Sequence, residues 1–521
     1  MKKIILSIFS IFCGTILVAQ TEFDAQKLIQ PDIIGTARYM GMAGAFSALG
    51  GDASAIKDNP AGLGIYRSSE ITATASLMYQ ISNSVWSTNK TSDNLLNTGF
   101  DNIAYIMANS TYRSQSGNSG LLNSNWSFSY NRLKSFERNS AVSAVNQASS
   151  ITDYMAYFTG GIKSADLSNT STYNAYENTS IPWISVMGFN GWLINESVNS
   201  GVSSWSSLLS AGELVTPSFS IQERGYLDEY SIGWAGNFDN LLYVGLTGNL
   251  QSVNYNMTSQ YKEIFGNGGG MTLSNYLTTT GIGVNMNLGL IYRPTDLLRL
   301  GLAVHTPTVL SLSDNNSANM DYYISSTNNG NFDSPSGSNS YLLSTPWKIN
   351  ASAAYLLGQT GLISFEYAKD FSTASYYMNS KYSTTSFTDE NKGMKTLLKD
   401  VQTIKIGFEY KCTPNLALRI GYANISAGTS PTADLLLQPN TTRTDVQYFQ
   451  NNFTNFYTLG FGYRETNWYI DLALVNKNID ETFYAYNTFG LTKLNPTLAS
   501  VNPANINLSS SNLVFTIGLK F

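Results

Sequence analysis

Much of this 521-residue chain alternates apolar residues with polar or small ones at a period of two. In 282–292, for example, Ile, Val, Met, Leu, Leu and Tyr occupy every second position. The same pattern recurs in 242–250, 404–411, 416–422 and 513–521. Because successive side chains of a strand point to opposite faces, each run predicts a strand with one apolar face. The fold is therefore predicted to be all-β.

Connections between these runs alternate between short and long. The short ones are turns of a few residues, among them 237–240, 293–296 and 411–415. The long ones are rich in Ser, Thr and Asn and are expected as loops near 81–99, 134–224, 258–277, 311–346, 372–400, 424–453 and 477–510. A transmembrane antiparallel β-barrel with tight periplasmic turns and long external loops has this arrangement.

Counting the runs predicts a barrel of about fourteen strands. Their centres lie near residues 75, 105, 127, 232, 247, 286, 302, 352, 366, 406, 420, 460, 471 and 516. An even count places both ends of the barrel on the periplasmic side.

Composition supports a membrane barrel over a soluble sandwich. Charged residues make up 12% of the chain and aromatic residues 13%, with 33 tyrosines. A soluble domain carries about twice that charged fraction. Beyond the first twenty residues, no uncharged apolar run approaches the length of a membrane-spanning helix. The net charge of −5 argues against nucleic acid as a partner.

Both ends of the chain indicate export to the outer membrane of a Gram-negative bacterium. Residues 1–20 are read as a signal peptide, with cleavage near Ala19 or Gln20. Cleavage removes Cys13 and leaves Cys412, which excludes a disulfide framework and a cysteine metal cluster. The last strand ends on Phe521, which resembles the terminal aromatic signature recognised by the barrel assembly machinery.

One early stretch, residues 35–67, differs from everything after it because small residues crowd together in it. Small side chains let a backbone pack closely against surrounding walls. Asp52 is placed to cap a short helical turn, which must end before Asn59 because Asn59 precedes Pro60. The sequence Asn-Pro-Ala-Gly at 59–62 is then either a simple turn or part of a functional segment.

Four short sequences in this stretch resemble the amino-terminal hatch of FadL-type outer-membrane transporters of long-chain fatty acids and other hydrophobic compounds. They are GTAR (35–38), MAGAF (42–46), DASA (52–55) and NPAGL (59–63). Later stretches, at 289–307, 344–357 and 402–423, resemble strand pairs of the same family.

This resemblance implies a fourteen-stranded barrel whose lumen is plugged by its amino-terminal hatch. It divides the chain into a signal peptide (1–20), a plug inside the barrel (21–69) and the barrel itself (70–521). The implied function is passive transport of hydrophobic small molecules such as long-chain fatty acids. The plug residues expected beside the substrate path are Asn59, Pro60, Ala61, Gly62 and Phe46.

The family is also thought to release solute sideways through a kinked third strand beside the Asn-Pro-Ala segment. In this sequence Trp126, Phe128 and Tyr130 mark the corresponding strand wall. The match is incomplete, since no Gly or Pro lies between Leu121 and Glu137. The residue types that most easily bend a strand are therefore missing there.

Catalytic chemistry finds little support. His305 is the only histidine and is expected to face the lumen in a structural role, so triad and two-histidine metal chemistry lack their parts. We expect no enzyme activity, no cofactor and no metal. Charges of both signs on the lumen faces are expected mainly to pair with each other and with the plug: Arg299, Glu366, Lys405, Glu409, Arg419, Arg464 and Asp471.

The longest loop carries apolar residues that need a partner. Trp183, Phe189 and Trp192 are expected to form a small core over the barrel mouth, an external apolar patch that collects substrate, or both.

Expected partners are hydrophobic small molecules, outer-membrane lipid and the assembly machinery, and the protein is expected to be a monomer. A rival hypothesis is an accessory barrel that holds a partner protein in a secretion system. A haem receptor is disfavoured, because such receptors resemble larger barrels and because haem ligation would rest on few residues here.

Overall fold

A computed structural model describes residues 21–111, 119–199, 201–380, 387–431, 442–487 and 501–521. The predicted signal peptide, residues 1–20, lies outside this part of the chain, so it stays a prediction. Most of the predicted turn near 111–121 also lies outside it.

Helices are few and short. They are α1 (Glu22–Ile29), α2 (Ala37–Gly41), α3 (Ile151–Phe158), α4 (Ser164–Leu167), α5 (Trp183–Asn190) and α6 (Thr388–Leu397), with 3₁₀ turns at Ser54–Lys57, Pro60–Ile65, Ala175–Glu177 and Ser372–Ala374. Among the described residues, no helix has the length and apolar character needed to cross a membrane.

Strands make up most of the structure. They are β1 (Glu70–Trp86), β2 (Asn89–Met107), β3 (Leu121–Ser135), β4 (Arg138–Ser143), β5 (Ile194–Asn199), β6 (Val202–Ser207), β7 (Val215–Phe238), β8 (Leu242–Phe265), β9 (Gly270–Tyr292), β10 (Leu298–His305), β11 (Val309–Ser325), β12 (Asn328–Asp333), β13 (Gly337–Ser344), β14 (Lys348–Leu357), β15 (Gly361–Asp370), β16 (Tyr376–Asn379), β17 (Val401–Lys411), β18 (Leu416–Ser426), β19 (Tyr448–Arg464), β20 (Trp468–Tyr484) and β21 (Ala504–Lys520).

The sheet closes on itself. Antiparallel pairing runs from each wall strand to the next, and β1 pairs with β21 from Glu70↔Lys520 to Trp86↔Ala504. Four wall spans are built from two consecutive strands each: β3 with β4, β10 with β11, β13 with β14, and β15 with β16. Counted this way, the described residues form a closed antiparallel barrel of fourteen spans. The predicted fold class and strand count are confirmed.

The outward face carries an apolar band. On β9, every second side chain from Ile282 to Tyr292 is exposed and apolar or aromatic. Ten residues at ~3.3 Å each give ~33 Å along a strand, which a ~40° tilt reduces to about 25 Å across the membrane. This matches the height of the apolar band of outer-membrane barrels.

Three predicted loops are wrong over most of their length, because the strands continue beyond this band. Residues 81–99 are the outer halves of β1 and β2, and 258–277 lie mostly in β8 and β9. Most of 311–346 is also strand. Their outward side chains are polar, as in β8 at Asn256, Thr258, Gln260 and Lys262. Polar exterior residues predict a loop by composition, whereas here they mark a wall that extends into water.

The long connection between β4 and β7 folds into a small helical layer. It contains α3, α4, α5 and the separate hairpin of β5 and β6. Glu263 of β8 holds the start of α3, because its carboxylate accepts a hydrogen bond of 2.8 Å from the Ile151 amide. The layer is therefore fixed to the barrel wall.

We predict that the mature protein fractionates with the outer membrane and migrates faster in detergent gels before boiling than after it. A closed sheet has no free edge from which to unravel, so the barrel resists detergent until heated. Gel mobility of unheated and boiled membrane fractions measures this, and recovery of the protein in the soluble periplasmic fraction would contradict the fold.

Topology is testable separately. An epitope tag inserted near residue 330, in the hairpin of β11 and β12, should be accessible to antibody on intact cells. A tag at Asp296, in the tight turn between β9 and β10, should react only after the cells are permeabilised. Surface labelling at Asp296 on intact cells would mean that the barrel is inverted.

Candidate functional site

The N-terminal segment, residues 21–69, packs against the inward face of the barrel wall. Side chains from three different wall strands bind its backbone. Thr516 accepts a hydrogen bond of 2.7 Å from the Ala37 amide, and Thr458 donates one of 3.0 Å to the Gly41 carbonyl. Asn125 donates to the Leu63 carbonyl at 2.9 Å. The segment is thus tied to the wall on several sides.

Glycines in the wall allow this segment to come close. At Gly245 of β8 a Cβ atom would overlap the backbone of Pro60, and at Gly289 of β9 it would overlap the Asn59 side chain. Gly421 of β18 faces the backbone of Met42 in the same way. The segment therefore fits the wall only because these strand positions lack side chains.

Asn59 links the segment to itself and to the wall. Its amide nitrogen donates to the carbonyls of Ser47 at 2.7 Å and Leu290 at 3.3 Å. Its side-chain oxygen accepts a hydrogen bond of 3.1 Å from the Ala61 amide and so caps the 3₁₀ turn that Pro60 begins. The Asn-Pro-Ala-Gly sequence is a fully buried anchor as well as a turn.

Phe46 lies among charged and aromatic groups of the same segment. Its side chain is fully buried, with its ring 6.0 Å from that of Tyr39 and beneath the Arg38 guanidinium. This placement stabilises the segment itself, and Phe46 does not line the cavities described below.

A first ion-pair chain joins the N-terminal segment to the inward faces of four neighbouring wall strands, β17 to β20. Arg38 of the segment pairs with Glu409 at 3.1 Å, and Glu409 pairs with Arg419 at 2.6 Å. Arg419 continues to Asp471 at 2.5 Å, which also pairs with Arg464 at 3.2 Å. These groups are largely buried, so their charges are stabilised by each other rather than by water.

A second cluster centres on Lys405. Its ammonium lies 3.3 Å from Asp58 of the segment and 2.8 Å from Glu366 of the wall. Tyr39 also donates to Asp58 at 2.6 Å. Burial by itself raises the pKa of Asp58, but three nearby lysines, Lys405 foremost, outweigh it and hold that pKa below its ordinary value.

The prediction that lumen charges pair mainly with each other and with the plug segment is confirmed. Arg299, the one predicted lumen charge outside these two clusters, donates a hydrogen bond of 2.6 Å to the Leu49 carbonyl. His305 also faces inward, where its Nε2 lies 2.9 Å from the Asp58 carbonyl, which supports its predicted structural role. Within the described ranges, no group of acidic, His or Cys side chains is placed to hold a metal ion.

Beyond the ion pairs lies the main cavity, of about 260 Å³. Its lining includes apolar side chains, among them Phe136, Phe219, Met257 and Phe449. It also includes Gly99 and charged or polar side chains, among them Asp24, Lys27, Gln80, Asn97, Asp101, Arg132, Lys134, Glu223, Arg443 and Lys477.

A second cavity, of about 150 Å³, lies across a thin partition from the main one. Both cavities are bordered by Gln30, Pro31, Asp32 and Lys134. Most of the residues that line the second cavity are polar, and they include Lys57, Asp58, Glu229, Asn287, His305, Thr306, Thr308, Thr345, Lys348 and Asp370.

Solved structures with the same architecture are transport proteins by name. The toluene transporter TodX of Pseudomonas putida has a TM-score of 0.50 at 12% identity, covering 94% of this chain and 99% of its own. A Pseudomonas aeruginosa FadL homologue gives 0.52 at 10%, covering 94% and 99%. A TodX monoaromatic hydrocarbon channel with a deltaS2 mutation gives 0.51 at 12%, covering 94% and 100%.

The chain has the fold of the FadL-type transporters. The resemblance predicted from residues 35–63 is thus confirmed at the level of the fold. No family model and no curated protein matches the sequence. A closed barrel with an apolar outer band belongs in the outer membrane of a Gram-negative bacterium, which confirms the predicted localisation.

In this FadL fold the wall is interrupted between its second and third spans. The ladder between β2 and β3 covers only Asn102 to Met107, although β2 stays paired with β1 up to Asn89. Above Asn102, β3 and then β4 pair with β7 alone. In the described residues, the edge of β2 at 89–101 therefore has no ladder partner on this side.

The missing partner, β4, has moved behind the wall. Its Ser140 hydroxyl lies 2.8 Å from that of Ser82, a buried residue on the inward face of β1. Ser84 likewise donates to the Ala141 carbonyl at 2.7 Å. β4 thus runs inside β1, and it reaches β2 only through side chains: Asn139 donates to the Asn94 carbonyl at 3.2 Å, and the Thr91 and Ser143 hydroxyls lie 2.9 Å apart. No backbone ladder joins β4 to the edge of β2.

The bend that moves β4 needs no Gly or Pro in its own strand. The register of β3 against β7 shifts between Arg132 and Lys134, and the span breaks at residues 136–137. Opposite this break, β7 has Gly225 with φ of +109°. Its carbonyl accepts a hydrogen bond of 2.9 Å from the Phe136 amide. The flexible residue lies in the neighbouring strand, which the search of 121–137 missed.

The third-strand residues chosen from the sequence face away from the lumen. Trp126 and Phe128 are exposed on the outer surface. Tyr130 stacks on Phe100 of β2 at 5.8 Å and lies 5.5 Å from the ring of Tyr230. These side chains border the interruption on its lipid side, whereas the inward face of β3 carries Asn125, Ser127, Ser129 and Asn131.

The aromatic residues of the longest loop form the predicted loop core and not an external apolar patch. Trp183 is buried, and its ring packs on Tyr176 at 5.4 Å. Phe189 packs edge-on against Trp205 at 5.8 Å. Only Trp192 of the three is exposed.

Sequence reasoning missed the cavity residues, above all Lys57, Lys134 and Lys348. Lys57 and Asp58 carry the one signal available, because they place adjacent opposite charges in a stretch of small residues. Lys134 and Lys348 carry no such signal in the sequence, since their strands come together only in the folded barrel.

We predict that Lys405→Met destabilises the barrel by about 3–5 kcal/mol, because it leaves Asp58 and Glu366 as buried carboxylates without their cation. Urea-induced unfolding in lipid vesicles at pH 7 measures the change. The matched control is Lys369→Met, whose partner Asp400 is partly exposed, and it should cost less than about 1 kcal/mol.

The destabilisation should also depend on pH. Because the folded pKa of Asp58 lies below its ordinary value, the stabilisation from this carboxylate is full above about pH 4 and is lost as pH falls further. Equal stability of Lys405→Met and wild type at pH 7 would show that the cluster does not hold the segment.

Proposed function

We propose that the protein conducts hydrophobic small molecules passively from the cell surface into the outer membrane, with residues 21–69 acting as a plug. It is a transport protein rather than an enzyme. The observation that carries the proposal is the reach of the main cavity, whose lining includes Asn97, Gly99 and Asp101 on the unpaired edge of β2.

An exit at this edge suits an apolar solute. Straight below the cavity lie the plug and its two ion-pair clusters, a path that would require an apolar molecule to displace buried charges. At the interruption the solute instead meets the apolar outer face beside Phe100, Phe128 and Tyr130. Transfer from cavity to bilayer therefore runs between apolar surroundings and needs no energy source.

For the solute we propose the broad class of hydrophobic compounds, with long-chain fatty acids included. The neighbouring structures are named for toluene and monoaromatic hydrocarbons, and their fold supports a hydrophobic solute without choosing among these. The mixed lining of the main cavity, with aromatic side chains facing charged ones, also accommodates a molecule with one polar end.

The plug role of Asn59, Pro60, Ala61 and Gly62 is to keep the lumen closed beneath the cavity. They fill the space left by Gly245 and Gly289, and their anchoring to the wall makes a sideways exit the easier path.

We predict that Gly99→Phe lowers uptake of a labelled long-chain fatty acid at least about tenfold, because the new ring stands where the cavity meets the open edge of β2. Uptake into proteoliposomes, with protein amount matched, measures this. Gly248→Phe is the control, since Gly248 is exposed on β8 with no heavy atom near its Cβ position. Equal uptake by wild type and Gly99→Phe would exclude the lateral route.

A second variant tests the plug. Asn59→Ala combined with Pro60→Ala should lower uptake of the labelled fatty acid while the barrel still assembles, because it removes the anchor to Ser47 and Leu290. Unchanged uptake would mean that 59–62 are only a turn. Absence of uptake by the wild type across several apolar solutes would favour the accessory barrel that holds a partner protein.

A further inference from the structure

The second cavity contains charges that the ion-pair clusters do not use. Three lysines line it, Lys57, Lys134 and Lys348, and within the described part of the chain none has a carboxylate within 4.0 Å. Two of them are held by carbonyl oxygens of the N-terminal segment: Lys57 donates to Ile34, and Lys134 donates to Lys27 at 2.7 Å and to Gln30 at 3.2 Å.

Lys348 differs from the other two. Its ammonium has no hydrogen bond or ion pair among the described residues, although it lies inside the plugged barrel. In the sheet it is paired with His305 of β10 on one side and Asp370 of β15 on the other. A half-buried ammonium in this position calls for an acceptor.

Acceptors without donors lie in the same cavity. One carboxylate oxygen of Asp370 and the side-chain oxygen of Asn287 have no hydrogen-bond partner among the described residues. Both residues are more than nine-tenths buried, with exposed fractions of 6% and 2%. The Asn287 nitrogen, by contrast, donates to the Lys57 carbonyl at 3.1 Å. One small cavity thus presents a free cation and two free acceptors.

The other carboxylates that line it are engaged. Asp58 binds Lys405 and Tyr39, and Asp32 pairs with Lys477 at 2.7 Å. Glu229 accepts hydrogen bonds from Ser231 at 3.2 Å and Gln251 at 3.1 Å. The groups left for a ligand are therefore Lys348 together with Asp370 and Asn287.

We propose that the second cavity binds a zwitterionic head group, an ammonium beside a carboxylate, at the end of an apolar chain. The ligand carboxylate pairs with Lys348, with the spare N–H groups of Lys57 and Lys134 nearby. The ligand ammonium donates to Asp370 and Asn287. A ligand with one sign of charge satisfies only half of this set, because it leaves the opposite group buried and unpaired.

The volumes of the two cavities indicate which part of the ligand each one holds. The second cavity, at about 150 Å³, is little more than half the volume of the main one, at about 260 Å³, so it suits the head group and the main cavity suits the chain. The main cavity begins directly across Gln30, Pro31 and Asp32 and has the aromatic surface that a chain needs. The inference thus deepens the proposed function and rests on it for the position of the chain.

Three eight-carbon probes separate the alternatives: 2-aminooctanoate, octanoate and octylamine. We predict that the purified protein in detergent binds 2-aminooctanoate at least about tenfold more tightly than either of the others by calorimetry, because only this probe meets both signs of charge. Octanoate binding as tight as that of 2-aminooctanoate would overturn the proposal.

Two variants assign the contacts. Lys348→Gln should weaken 2-aminooctanoate and octanoate alike, whereas Asp370→Asn should weaken 2-aminooctanoate and leave octanoate unchanged. Lys392→Gln, which removes an exposed lysine on α6, is the matched control. If neither cavity variant changes the preference for 2-aminooctanoate, the site is wrong.

Fatty acid uptake is measured separately from ligand binding, so that the proposed function and the second binding site can fail independently. Loss of fatty acid uptake with the zwitterion preference intact would refute the proposed function alone. Normal uptake without that preference would refute only the second site.

Discussion

Closure of the sheet is the constraint on which the rest of the structure depends. In a bilayer, each unpaired backbone N–H or C=O costs several kcal/mol, so a sheet that spans it must pair its first strand with its last. The ladder between β1 and β21 does this over the full length of both strands. Once closed, the wall creates an interior that must be filled, and the N-terminal segment fills it.

Filling that interior has an electrostatic consequence. The inward faces of the strands carry Glu366, Lys405, Glu409, Arg419 and Asp471, which the segment completes with Arg38 and Asp58. A wall with buried charges of both signs is stable only when each has its partner. The same pairs that hold the segment make the direct path unfavourable for an apolar solute. In the proposed function, the stability of the N-terminal segment and the choice of a sideways path thus have one physical origin.

The interruption beside β2 shows how a barrel whose first and last strands are paired can still have a gap in its wall. Below Asn102 the ladder with β3 is intact, which keeps the wall continuous in the inner half of the membrane. Above it the span turns inward at the break opposite Gly225, and β4 binds the inner face of β1 through the Ser140 hydroxyl and the Ala141 carbonyl in place of a ladder. The opening is therefore built by redirecting a strand, not by omitting one.

The sequence by itself determined the architecture. Alternation from Ile282 to Tyr292 predicts a strand with one apolar face, and fourteen such runs, joined by alternating short and long connections in a chain with few charges, predict a membrane barrel. It also predicted the lumen charges and the special character of residues 35–67. Only the tertiary structure decided which charges meet, that 81–99 and 258–277 are wall, and that the strand bends opposite Gly225. Alternation is a local property of one strand, whereas Lys57, Lys348 and Asp370 share a cavity only because closure brings distant strands and the plug together.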